Sequence, residues 1–201
     1  MGSMTRTFVA ATIPAARAEK LARLRTSLAA DLPAARWSDP AQAHVTLAFL
    51  GDVRDVELFD ICREIERAVA GFEPFELSIT GLGAFPDESN PRTLWVGLAG
   101  PEIDRLIELQ ASVVAAATRA GRPPRDDRFH PHITIARFQD RGDSAAAVAS
   151  TIKSRRDWSA GSFKIAEVVT FASNLTPKGP IYDPLASASL IGDRSRRSTS
   201  Q

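Results

Sequence analysis

The chain has 201 residues, 44% of them hydrophobic, which is long and apolar enough to bury a core of its own. Lysine and arginine number 25 against 24 acidic residues, so the sequence excludes a protein that coats nucleic acid or a membrane surface through a global positive field, and a polyanionic ligand must be held by a local site. The single cysteine, Cys62, excludes an intrachain disulfide and a thiolate zinc cluster, and no run approaches the roughly 18 apolar residues of a membrane span, so a cytoplasmic monomer is expected.

Met1-Gly2-Ser3 reads as a cloning remnant ahead of a start at Met4, residues 4–192 as one domain, and the polar, aperiodic 193–201 as a tail. Thr7 to Ile13 is a β-rich run stopped by Pro14, which suits the first turn of a helix reaching about Asp31. Ala43 to Leu50 is a second strand, ended by Gly51-Asp52, after which Val56, Phe59, Ile61, Ile65 and Val69 recur at helical spacing. Phe75–Ile79 and Thr93–Leu98 are predicted strands joined by a long loop over 81–91, dense in turn formers. Glu102 to Ala120 is an amphipathic helix closed by Gly121 and Pro123-Pro124. His132–Phe138 is predicted as a strand, Ser144–Ser154 as a helix, and Phe163–Ala172 and Ala186–Ile191 as strands around the turn-rich Pro177-Lys178-Gly179-Pro180. The mixture predicts an α+β fold of antiparallel sheets with helices packed outside.

No phosphate loop or dinucleotide fingerprint is present, so nucleoside-triphosphate and hydride chemistry find no support and no cofactor is expected. One internal similarity carries chemistry. His44-Val45-Thr46-Leu47-Ala48 and His132-Ile133-Thr134-Ile135-Ala136 share the pattern His, aliphatic, Thr, aliphatic, Ala. Alternation along a strand puts His and Thr on one face and the aliphatic residues on the other, so each copy is apolar behind and reactive in front. If the halves are related by an approximate two-fold, two imidazoles and two hydroxyls converge from opposite sides. An in-line displacement at phosphorus needs that: a base beside the incoming water, an acid beside the departing oxygen, and donors on the non-bridging oxygens. A lone His-x-Thr is commonplace and a lone histidine is usually structural. With only three histidines in the chain, two in matching contexts are hard to attribute to accident. A metal site from His44, His130 and His132 is the competing use; it lacks a neighbouring carboxylate and the helical His-x-x-x-His spacing.

These motifs resemble those of the 2H phosphoesterases, and within them the RNA 2′,3′-cyclic phosphodiesterases also called 2′-5′ RNA ligases. The resemblance extends to Arg6-Thr7-Phe8-Val9-Ala10, Trp37, Ala48-Phe49-Leu50-Gly51, Gly83-Ala84-Phe85-Pro86, Pro91-Arg92, Leu94-Trp95-Val96-Gly97, Pro131 and Arg137 flanking the second motif, and Gly179-Pro180-Ile181-Tyr182. It implies a bilobal fold with a pseudo-two-fold axis and a cleft between two antiparallel sheets. It implies metal-independent hydrolysis of an RNA terminal 2′,3′-cyclic phosphate to a 2′-phosphomonoester, with His44 donating a proton to the 3′-oxygen and His132 activating water. Thr46, Thr134 and Arg137 would hold the phosphate, although strict alternation from His132 would turn Arg137 away from the cleft unless a bulge intervenes. Phe8, Phe49 and His130 are candidates to stack a base or line the cleft. Partners would be RNA ends or nucleotides carrying a cyclic phosphate. A linear 2′-5′ oligonucleotide substrate and an idle RNA-end-binding module are the alternatives.

Overall fold

A computed structural model describes residues 3–124, 128–139, 144–177 and 179–192. The expected tail at 193–201, the start at Met1-Gly2, and Lys178 of the expected turn lie outside these residues.

The strands are β1 (Met4–Thr12), β2 (Arg36–Trp37), β3 (His44–Arg54), β4 (Phe75–Phe85), β5 (Thr93–Ala99), β6 (His132–Arg137), β7 (Ser159–Ile165), β8 (Glu167–Thr176) and β9 (Gly179–Ser189). The helices are α1 (Ala15–Leu28), α2 (Asp55–Val69), α3 (Ile103–Arg119) and α4 (Ala145–Ser154). One antiparallel sheet has the order β3-β1-β8-β9 and the other β2-β6-β5-β4-β7. With β2 set aside, β3, β1, β8 and β9 correspond to β6, β5, β4 and β7. Each His-x-Thr strand pairs with the strand that precedes it across a helix, β3 with β1 and β6 with β5.

The two connecting helices are exchanged between sheets. Helix α1 joins β1 to β3 yet packs on β7 of the other sheet, where Arg17 donates from Nε to Ser162 O (2.7 Å) and from Nη1 to Ala160 O (3.1 Å). Helix α3 joins β5 to β6 yet packs on α2 and β3. Leu21, Leu24 and Leu28 of α1, and Leu106, Leu109 and Val113 of α3, are the buried stripes that the sequence spacing calls for. Val9, Ala11, Val45 and Leu47 of one sheet and Leu94, Val96, Ile133 and Ile135 of the other form the back faces that these helices cover. Burying each large aliphatic side chain contributes roughly 1.5–3 kcal/mol.

The sheets depart from the sequence expectations at glycines. Strand β3 runs on through Gly51-Asp52 because Gly51, at φ 71°, absorbs a bulge where Leu50 is passed over opposite β1. Gly81, at φ 65°, does the same in β4, so residues 81–85, expected as loop, belong to the strand. The run expected from Phe163 to Ala172 is two strands, β7 and β8, separated at Ala166. Among the described residues no helix is long and apolar enough to cross a membrane.

Candidate active site

Both His-x-Thr strands carry a bulge just after the threonine. On β3, His44 lies opposite Thr12 and Thr46 opposite Ala10, but Val9 then faces Ala48, so Leu47 is passed over. On β6, His132 lies opposite Gly97 and Thr134 opposite Trp95, but Leu94 then faces Ala136, so Ile135 is passed over. An extra residue reverses the alternation beyond it. Phe49 therefore comes opposite Phe8, and Arg137 opposite Thr93. Since Phe8, Ala10 and Thr12 share one face of β1, and Thr93, Trp95 and Gly97 one face of β5, Phe49 joins His44 and Thr46, and Arg137 joins His132 and Thr134. The first bulge is held from behind by α3, where the buried Gln110 donates from Nε2 to Leu47 O at 3.2 Å.

The histidines are oriented alike. His44 Nδ1 lies 2.7 Å from Gln42 O, and His132 Nδ1 lies 2.7 Å from His130 O. A carbonyl can only accept, so Nδ1 carries the proton in both rings and Nε2 is the nitrogen left able to take or give a proton. Strands β3 and β6 are in direct contact, which brings the two faces to one cleft. Burial pushes both imidazoles below their ordinary value of 6.5; the carbonyl bonds oppose this, while the charges of His132 and Arg137 lower His44 further, and those of His130 and Arg137 lower His132 further.

Aromatic rings wall each histidine. His44 has Phe8 at 5.0 Å between centroids and Tyr182 edge-on at 5.2 Å. His132 has Phe85 edge-on at 4.9 Å, and His130 lies 4.8 Å from Trp95. Phe8 is 3% exposed, stacked on Phe171 at 5.2 Å and met by Tyr182 at 4.9 Å, so it is floor beneath His44 with no face left for a base. Phe49, by contrast, is 59% exposed on that same face. His130 is exposed and rests on the Trp95 and Phe85 rings, and its backbone carbonyl orients His132. Arg137 reaches Thr93 Oγ1 at 3.4 Å and makes no ion pair among the described residues. Among those residues no group of three or more His, Cys, Asp or Glu side chains is placed to hold a metal ion.

Sequence reasoning did not single out Tyr182, Phe171, Phe85 or Trp95 as walls of the cleft. Tyr182, Phe85 and Trp95 stood within quoted motifs, but only the ladders bring β9 beside β8, β4 beside β5 and β5 beside β6. Tyr182 is half-buried, its backbone N–H donates to Gln42 Oε1 at 3.1 Å, and burial raises its hydroxyl above the ordinary phenol range against the opposing fields of Arg137 and Arg6.

Two curved antiparallel sheets, each contributing a His-x-Thr strand to one cleft, constitute the fold of the 2H phosphoesterases. The crystal structure of an Escherichia coli LigT complex with 3′-AMP matches with a TM-score of 0.76 at 27% identity, covering 94% of this chain and 99% of that one. The crystal structure of a Thermus thermophilus protein matches with a TM-score of 0.75 at 27% identity, over 94% of this chain and 100% of that one. The family model of the 2′-5′ RNA ligase superfamily matches residues 13–174, and the chain belongs to that superfamily. It is similar to the RNA 2′,3′-cyclic phosphodiesterases of Methanothermobacter thermautotrophicus (32% identity, 88% of this chain and 94% of that protein) and Aeropyrum pernix (33% identity, 83% and 92%).

Proposed function

We propose that this protein hydrolyses the terminal 2′,3′-cyclic phosphate of RNA to a 2′-phosphomonoester, with His44 as proton donor and His132 as proton acceptor. The observation that carries the reading is the matched pair of Nδ1-to-carbonyl bonds, which leaves one Nε2 from each lobe for a group lying between them. The names of the relatives support the same substrate. His132 Nε2 takes a proton from water as the water oxygen bonds to phosphorus. The bond from phosphorus to the 3′-oxygen breaks on the opposite side, and that oxygen takes the proton of His44 Nε2. Thr46 and Thr134 donate to the non-bridging oxygens, and the Arg137 guanidinium balances the charge that accumulates there. The chemistry needs one imidazole charged and one neutral. Mutual repulsion between the rings favours that singly protonated state once an anionic phosphate lies between them.

Phosphorus NMR of a nucleoside 2′,3′-cyclic phosphate incubated with the protein and a chelator tests the proposal. A 2′-phosphomonoester is expected from the wild type and none from His44→Ala or His132→Ala. A 3′-phosphomonoester, or activity restored only by added zinc, overturns the mechanism, and no turnover by folded protein overturns the activity.

A further inference from the structure

Beyond Phe8, the cleft face of β1 continues to Arg6, whose side chain is exposed and makes no hydrogen bond or ion pair among the described residues, although Asp52 lies opposite it in register. Tyr182 shares that face and row: it lies opposite Ser173 of β8, two residues beyond the Phe171 that pairs with Phe8, its ring packs on Phe8 and His44, its hydroxyl has no hydrogen-bond partner among the described residues, and the charges of Arg137 and Arg6 both act on it. Phe49 presents its ring on the same face, 6.1 Å from that of Phe8. A cation and a hydroxyl without partners beside an exposed aromatic ring fit a nucleotide: phosphate on the donors, base on the ring.

We infer that Arg6 and Tyr182 Oη form a second phosphate subsite, which holds the phosphodiester joining the terminal nucleotide to its 5′ neighbour and makes the enzyme select RNA ends over mononucleotides. The inference rests on the activity proposed above. Thr46, which faces the reacting phosphate, is level with Ala10, and Arg6 lies four residues further along the strand, about 14 Å at 3.4 Å per residue. The length of an arginine side chain shortens that gap to one that the sugar-phosphate backbone of a dinucleotide crosses. Arg137 enters from the other sheet and serves the reacting phosphate, so the two guanidinium groups address successive phosphates of one strand.

The test compares wild type and Arg6→Gln on a nucleoside 2′,3′-cyclic phosphate and on a trinucleotide with the same cyclic end. The ratio of kcat/KM for trinucleotide over mononucleotide is expected to fall about tenfold, the effect of one charge-assisted contact. The slope of log affinity against log salt for the trinucleotide should flatten by about 0.7. An unchanged ratio, or equal losses on both substrates, overturns the inference. A second arm measures binding of a trinucleotide with a terminal 2′-phosphate to His44→Ala protein, with and without Arg6→Gln. It needs no turnover, so a failure of the subsite is separated from a failure of the activity: weaker binding on loss of Arg6 supports the subsite even if no hydrolysis is found, and unchanged binding sinks it.

Discussion

Gly83 lies under the indole of Trp95, and replacing it by alanine is the sharpest test of how the His132 side of the cleft is built. An ideal Cβ at Gly83 would stand 2.2 Å from Trp95 Cζ2, 2.3 Å from Cη2 and 2.7 Å from Cε2, where carbon contacts settle at about 3.5–4.0 Å. The indole would have to retreat by about 1 Å or more. It has nowhere easy to go, since Phe85 lies 5.3 Å and His130 4.8 Å away, centroid to centroid. Overpacking of this kind costs about 1–3 kcal/mol, and in a chain of this size each kcal/mol lowers Tm by roughly 2–4 °C. Because Phe85 stands edge-on to His132 and His130 O holds its Nδ1, the displaced indole should also lower kcat. Differential scanning calorimetry gives the first quantity and steady-state kinetics on a cyclic phosphate the second. In a Trp95→Leu background the flat ring is gone and Gly83→Ala should be nearly harmless, a coupling read from the double-mutant cycle. A melting temperature within about 1 °C of wild type, or an equal cost of Gly83→Ala in both backgrounds, would refute the reasoning.

The pH dependence follows from burial. Both imidazoles are pushed below 6.5 in the free protein, so the window in which one is charged and the other neutral lies on the acid side of that value; kcat/KM should be bell-shaped with its maximum there, and kcat, measured with the anion bound, should peak at higher pH. A monotonic rise into alkali would contradict the acid–base pair. The same lowering makes the unfolded chain the better proton acceptor, so stability is complete above about pH 6.5 and is lost as pH falls through the folded values, a loss that inorganic phosphate should reduce in a thermal-shift series. Arg137→Gln should lower kcat/KM on a mononucleotide by roughly 10–100-fold, the loss of a charge-assisted phosphate contact, with little change in melting temperature because, among the described residues, the Arg137 side chain makes one long hydrogen bond. Gln110→Leu leaves the Leu47 carbonyl unpaired at the β3 bulge and should cost about 1–3 kcal/mol in chemical denaturation.

Much of the site was legible because strand alternation is a local rule. His44 with Thr46, and His132 with Thr134, share faces whatever the rest of the chain does, and their repeated context marked two equivalent strands. The helical spacing of Ile61, Ile65 and Val69 on α2 and of Leu106, Leu109 and Val113 on α3 marked buried faces in the same way, whereas Val56 and Phe59, read from sequence as part of the α2 stripe, are 79% and 74% exposed. The face taken by Arg137 was not local. Alternation alone turns it away from His132, and the bulge at Ile135 that turns it back is a property of the ladder with β5, where one residue of β6 finds no opposite number. Phe49 depends likewise on Leu47 being passed over by β1, and that bulge is held by Gln110 from a helix distant in sequence.

The walls of the cleft were decided further still from their own sequence neighbourhoods. Tyr182 reaches His44 only because β9 pairs with β8 and β8 with β1, which joins the end of the described chain to its beginning. The sequence by itself determined that His44 shares a face with Thr46 and His132 with Thr134, since that is set by residue type and a two-residue period. Tertiary structure decided which faces meet and where the period slips, because sheet register, bulges and the exchange of α1 and α3 between lobes are set by pairing and packing between segments far apart in the chain.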